Sequence, residues 1–524
     1  MTTPTQAPAP SDTPAEGGEP VAHLAVAIVG NGFSGLGTAI RLRQAGEDDF
    51  LIFERHDDVG GTWRDNSYPG CACDVPSHLY SFSFAPNPDW SRSFSAQPEI
   101  HAYLQRVSAE YDIDRFTRHR HEVLDATWDD DAQHWVVTTS QGVWTADVLV
   151  LGSGALSDPS FPDVPGLEDF EGAVFHSATW RHDLDLRGRR VAVIGTGASA
   201  IQFVPEIAPV VGTLKVFQRT PPWIMPRGDR AITRLEKLLF RYVPPAQRLV
   251  RESIYWARET FVFGFKDPKR MAKAAKIAER HMRKQVTDPE LREKITPSYS
   301  MGCKRILLSN DYLPALDRDN VEVVTEKIVE IRPNAVVTAD GTEHEVDTII
   351  AGTGFAVGDL PISHRVHGRD GRTMADHWDG SPYAHNGTMI AGFPNVFTLL
   401  GPNTGLGHNS VVFMIESQIA LVMDTLRHMR THGIGAVEPT RAAQDAFVAE
   451  MQRKTEGTVW VDGGCSSWYL DKHGNNSALW PTFTMPFRRR VRRFRPEEHV
   501  LTPSHRETQR SGARPTNTAT RAVR

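Results

Sequence analysis

The chain has 524 residues, with 58 Lys and Arg against 64 Asp and Glu and a formal net charge of −6. A single core stops growing at roughly 250 to 300 residues, so at least two domains are required, and so balanced a charge excludes a nucleic-acid scaffold, which carries a strong basic excess. The four cysteines, Cys71, Cys73, Cys303 and Cys465, are too few for a disulfide framework and lack the paired Cys-x-x-Cys units of a zinc site; no metal is expected, and a reducing cytoplasm fits.

Residues 1–22 are rich in Pro, Thr, Ala and Gly, without Lys, Arg or an apolar run. They read as a disordered leader rather than a secretory signal. From Leu24 an apolar run leads into Gly30-Asn31-Gly32-Phe33-Ser34-Gly35 and a helical pattern through Arg43. This is strand, tight turn and helix: the glycines let backbone amides approach a pyrophosphate, and the helix N-terminus adds partial positive charge. The next strand, from Phe50, ends in Glu54, 24 positions after Gly30. A carboxylate there accepts the two ribose hydroxyls of a dinucleotide and repels a 2′-phosphate.

A second copy follows at Gly195-Thr196-Gly197-Ala198-Ser199-Ala200, and its next strand ends in Arg219, again 24 positions after the first glycine. The charge is reversed, and a guanidinium suits a 2′-phosphate, so this unit is expected to prefer NADPH over NADH. Two further strands, each opened by an Asp and closed by a Gly-x-Gly turn, run from Val143 to Gly154 and from His344 to Phe355. They read as the return strands of the two units, which makes the chain an interleaved pair. Between Arg230 and Ile295 the pattern is helical and dense in Lys, Arg and Glu. Its basic faces read as solvated rather than as surfaces for a membrane or an acidic partner. The apolar stretch Val411 to Leu426 is interrupted by Glu416 and Asp424, so no membrane span is expected.

Three signatures extend over this frame: Gly60-Gly61-Thr62-Trp63 with Tyr68-Pro69-Gly70 and Asp74; Phe170-x-Gly172-x3-His176-x3-Trp180; and Gly302-Cys303-Lys304-Arg305. With them the chain resembles the Baeyer-Villiger monooxygenases, FAD- and NADPH-dependent oxygenases, from about residue 22 to 500. One departure is Arg181, where that family usually places Pro or Asp after the fingerprint tryptophan.

The resemblance implies an α/β fold of two interleaved Rossmann-like domains with a helical insertion. Its expected divisions are a leader at 1–22, an FAD-binding domain at 23–156 and 388–501, an NADP-binding domain at 157–222 and 323–387, the insertion at 223–322, and a disordered tail at 502–524. It implies that Arg305 is the fixed cation beside the flavin and that Asp74 orients it. Thr62, Trp63, Tyr80 and Val123 join the glycine turn and Glu54 around FAD. Lys304 and Thr220 join Arg219 at the NADP phosphate, and Trp468 closes a late loop over that cofactor. His176 is expected to be a hinge or hydrogen-bonding residue, and Cys71 and Cys73 packing residues.

The implied reaction converts a ketone with NADPH and O2 into an ester or lactone through a peroxyflavin. The alternatives are an N- or S-monooxygenase and a non-catalytic nucleotide sensor. A disulfide reductase lacks its Cys-x-x-Cys pair. The sequence does not name the ketone.

Overall fold

The computed structural model describes residues 21–505. Its first sheet has eight strands, in the order Val366–His367, Val123–Asp129, His134–Thr139, Gly142–Leu151, His23–Val29, Phe50–Phe53 and Thr117–Arg118, with Val396–Thr398 also paired to Gly142–Leu151. The register is parallel where the nucleotide turn emerges: Val26 faces Phe50 on one side and Val148 on the other. Val26, Ile28, Phe50 and Ile52 enter one core cluster, and Ala27, Val29, Leu51 and Phe53 enter another. Alternate residues therefore bury both faces, which is why these strands read as continuous apolar runs. Each fully buried aliphatic side chain contributes about 1.5–3 kcal/mol.

The second sheet is five parallel strands, Val321–Val324, Thr213–Phe217, Arg190–Ile194, Thr348–Ala351 and Ala173–His176. The chain thus builds most of the first sheet, leaves to build the second and returns. The return strands take the expected places. Gly30, at φ +87°, would bring an added Cβ to 3.0 Å from the Gly152 carbonyl oxygen, and Gly195, at φ +105°, to 2.5 Å from that of Gly352. Each turn can therefore tolerate only glycine at its head. At Gly35 a Cβ would stand 1.9 Å from the Gly30 oxygen, so the helix Phe33–Gln44 could not seat under its strand.

Three boundaries differ from expectation. The strand Val321–Val324 already belongs to the second sheet, so the insertion ends before 321 rather than at 322. The chain rejoins the first sheet at Val366–His367, well before 388. The tail is not unstructured from 502, because Thr502 and Pro503 pair with Ala436 and Ile434. Residues 1–20 and 506–524 of the expected leader and tail lie outside the described residues. Four cysteines are too few for a framework, yet one pair is joined: Cys303 and Cys465 form a disulfide, while Cys71 and Cys73 are free and buried. The pair is distant in sequence, and only folding brings the two sulfurs together. Among the described residues no helix is long and apolar enough to cross a membrane.

The insertion carries the helices Arg234–Tyr242, Pro244–Glu259 and Pro268–Gln285 with shorter ones between and after. Thr233 and Glu236 form a reciprocal capping box on the first, and proline opens the other two, where no backbone donor is lost.

Candidate active site

A cleft opens at the C-terminal ends of the parallel strands of the first sheet. Gly30, Gly32, Phe33, Ser34, Glu54, Thr62, Trp63, Tyr80 and Val123 all line it. Gly35 does not line it, but packs beneath the turn. Glu54 is buried and already occupied: Oε2 accepts from the Asn31 amide at 2.9 Å, and Oε1 accepts from the His56 amide at 3.0 Å and pairs with Arg64 at 3.1 Å. A carboxylate has about four acceptor positions, so capacity for hydroxyl donors remains. Asn31 lines the same cleft, and its buried Oδ1 has no partner. A buried acceptor left without a donor signals a missing ligand or water. Sequence reasoning did not single out Asn31 or Arg64, although both lie within the quoted motifs.

At the cleft wall Trp63 donates Nε1–H to the Tyr80 hydroxyl at 3.1 Å, and Tyr80 meets Phe33 edge to face at 5.2 Å. Burial raises the Tyr80 pKa, and Asp74 and Arg305 lie close enough to act on it. The motif from Gly60 to Asp74 thereby joins the two nucleotide units. Tyr68 donates to Gln202 Oε1 at 3.0 Å, and Gly70, at φ +76°, would bring a Cβ to 2.5 Å from the Gln202 oxygen. Gln202 sits on the helix Ala200–Ile207 that follows the second turn.

Arg305 and Asp74, 231 positions apart, are in direct contact: Nε donates to Asp74 Oδ2 at 2.7 Å, and Nη2 stands 2.5 Å from the same oxygen. Nη1 has only a 3.4 Å contact with the Leu406 oxygen. Burial works to raise the Asp74 pKa and is the largest single influence, but the charge and hydrogen bond of Arg305 together with the charge of Arg258 outweigh it and hold the carboxyl below its usual range. Asp74 in turn raises the Arg305 pKa, so the guanidinium is a permanent cation. Two neighbours were not anticipated. Arg258, from the insertion, donates Nη2–H to the Asp74 backbone oxygen at 3.3 Å. The Tyr469 hydroxyl borders Arg305, is buried, and has no partner that meets hydrogen-bond geometry. Arg258 carries no motif signal, and Tyr469 follows Trp468 in the late loop, but the contacts of both with the pair are distant in sequence.

At the second turn, Thr196 donates its hydroxyl to the Thr220 oxygen at 3.2 Å, and Gly197 and Ala198 are exposed. Ser199 is half-buried beside them, and Ala200 packs inward at the start of its helix. Arg219 is exposed close to Lys304, whose pKa is lowered by burial and then by the Arg219 charge. Neither cation has an ion-pair partner among the described residues. Two like charges held together without a carboxylate fit a dianionic ligand. Trp468 is half-exposed and meets Tyr469 at 4.6 Å. The disulfide ties this late loop to the segment that presents Lys304 and Arg305.

The fingerprint segment is away from the cleft lining. Trp180 packs on Phe175 and Phe203, each at 5.2 Å, and His176 accepts the Ala178 amide at 3.1 Å. Arg181 pairs with Asp183 on the surface, so its departure from the motif touches nothing in the site.

The flavin-binding monooxygenase-like family model matches residues 23–364. A Baeyer-Villiger monooxygenase of Pseudomonas aeruginosa is 52% identical over 483 residues, 92% of this chain and 92% of its own. The closed crystal structure of cyclohexanone monooxygenase superposes with a TM-score of 0.82 at 29% identity, covering 92% of this chain and 100% of that one. The crystal structure of OTEMO in complex with FAD and NADP gives a TM-score of 0.83 at 27% identity, covering 93% and 100%.

Proposed function

Because the chain belongs to the flavin-binding monooxygenase-like family, we propose that it is a Baeyer-Villiger monooxygenase, using FAD, NADPH and O2 to insert an oxygen atom beside a ketone carbonyl. FAD reduced by NADPH supplies the oxygen-activating chemistry when bound. The chain's own residues do the rest. Backbone amides at Gly30 to Ser34 would hold the pyrophosphate of FAD and Glu54 its ribose hydroxyls, with Trp63 and Tyr80, which line the same cleft, available to its ring system. Asn31 Oδ1 offers one more acceptor in the same cleft. Arg219 and Lys304 would hold the 2′-phosphate of NADPH, with Thr196, Ser199, Thr220 and Trp468 as further candidate contacts.

The observation that carries the reading is the Arg305–Asp74 pair next to Tyr80, with the Nη1 arm of Arg305 barely engaged. Attack on a carbonyl develops negative charge on oxygen, which a preorganised guanidinium stabilises. Asp74 orients two arms of that guanidinium and keeps it charged. Incubating the FAD-loaded protein with NADPH and linear, cyclic, aromatic and steroid ketones, followed by product identification, tests the proposal. Ester or lactone from at least one ketone supports it. Oxidation of sulfides or amines with no ester from any ketone sinks it.

A further inference from the structure

The helical insertion has a surface that the site does not use. Among the described residues nineteen large apolar side chains are exposed, and nine of them fall between Leu235 and Phe263. They are not scattered. Leu235, Leu239 and Tyr242 stand at positions i, i+4 and i+7 of the helix Arg234–Tyr242 and form one stripe, with Leu235 78% and Tyr242 75% exposed. Phe240, on the other side of that helix, is buried. The next helix, Pro244–Glu259, repeats the arrangement: Leu249, 69% exposed, and Trp256, 54% exposed, are seven positions apart, while Tyr255 and Glu259 point inward. Phe261 extends the exposed set past the end of that helix.

Charge sets the chemistry of what can cover this surface. The two striped helices, Arg234–Tyr242 and Pro244–Glu259, carry six Lys and Arg against three Glu, with Arg241 paired to Asp89 and Arg251 and Arg258 turned inward, and the later helix Pro268–Gln285 adds seven Lys and Arg against one Glu, in a protein whose total is −6. Arg234, Arg248, Lys273 and Lys276 are exposed. A second copy of the chain meeting this surface through the same surface would set two faces of net positive charge against each other, which costs free energy. A nucleic acid would satisfy the charge but not a leucine stripe. Leucine and aromatic side chains on one face with Lys and Arg around them are the features of helices that lie in a membrane interface.

We propose that the insertion docks the protein on an anionic lipid surface, with the helices Arg234–Tyr242 and Pro244–Glu259 lying in the headgroup layer. The basic side chains attract the surface, and the outward leucines, Tyr242 and Trp256 enter it. The docked helix Pro244–Glu259 is also the one whose Arg258 reaches Asp74.

The test uses the full FAD-loaded chain and sedimentation with vesicles of phosphatidylcholine alone or of equal parts phosphatidylcholine and phosphatidylglycerol. The protein is expected to sediment with the second and not the first, and to be released as salt shortens the electrostatic range. A variant carrying Leu235→Glu and Leu239→Glu should bind at least about tenfold more weakly, since it loses two apolar insertions and gains two repelled charges. It should keep its yellow colour and its NADPH oxidation, and Leu249→Glu supplies an independent stripe variant should that protein not fold. No sedimentation with anionic vesicles overturns the proposal, as does a stripe variant that binds like the parent. A dimer at micromolar concentration that Leu235→Glu dissociates overturns it in favour of a second copy.

Discussion

Replacing Arg305 by Ala separates the two things this side chain does. It makes two short contacts with one oxygen of Asp74, at 2.7 and 2.5 Å, and the two side chains are 37% and 29% exposed. Breaking a fully buried pair costs about 3–5 kcal/mol because a charge is stranded. Partial exposure screens the Asp74 carboxylate, so about 1–3 kcal/mol is the expected loss of stability. Loss of a preorganised charge at the reacting oxygen should lower the rate of ester formation by about a hundredfold to a thousandfold. The two effects part company in the double variant Arg305→Ala with Asp74→Asn, which removes the stranded charge: it should recover part of the stability and none of the rate. The assay pairs denaturant melts at saturating FAD with quantification of ester, NADPH consumed and hydrogen peroxide released. Residual NADPH consumption should appear as peroxide. Ester formation within about threefold of the parent in Arg305→Ala would refute the assignment of this cation.

Glu54→Ala should weaken FAD binding by about ten- to a hundredfold, from the loss of about 1.5–3 kcal/mol of charge-assisted contacts; unchanged flavin content at limiting FAD counts against the ribose role. Arg219→Ala should erode the preference for NADPH over NADH by roughly thirtyfold, about 2 kcal/mol, and Lys304→Ala should act in the same direction. Equal kinetics with NADPH and NADH in the parent would remove the basis for both. His78 is buried, and desolvation lowers its pKa from 6.5 to about 4, so between these values the unfolded chain binds more protons than the folded one. Stability should therefore fall as pH drops from 6.5 towards 4, by up to about 3 kcal/mol from this group, and His78→Gln should flatten the dependence in denaturant melts.

Much of the frame was legible because it is local chemistry. A strand that ends in glycines and then a helix is set by steric demands within a dozen residues, and the carbonyl of Gly152 or Gly352 leaves no room for a Cβ at Gly30 or Gly195. Glu54 and Arg219 share a count of 24 but not a register: Glu54 directly follows Phe53, whose carbonyl accepts from the Gly30 amide, whereas Gln218 separates Arg219 from Phe217, whose carbonyl accepts from the Gly195 amide. The return to the first sheet at Val366–His367 was not legible, since a two-residue strand has no period.

The site needed the tertiary structure. Nothing in spacing relates Asp74 to Arg305, Arg219 to Lys304, or Cys303 to Cys465; each pair meets because separate elements pack together. The same holds for Arg258 and Tyr469, whose positions beside Arg305 and Asp74 come from the insertion and the late loop. The apolar stripe on the helix Arg234–Tyr242 is the clearest division of labour. Its period is written in the sequence, but periodicity cannot say whether a neighbouring element covers a stripe. Packing leaves Leu235 and Tyr242 in solvent while it buries Phe240.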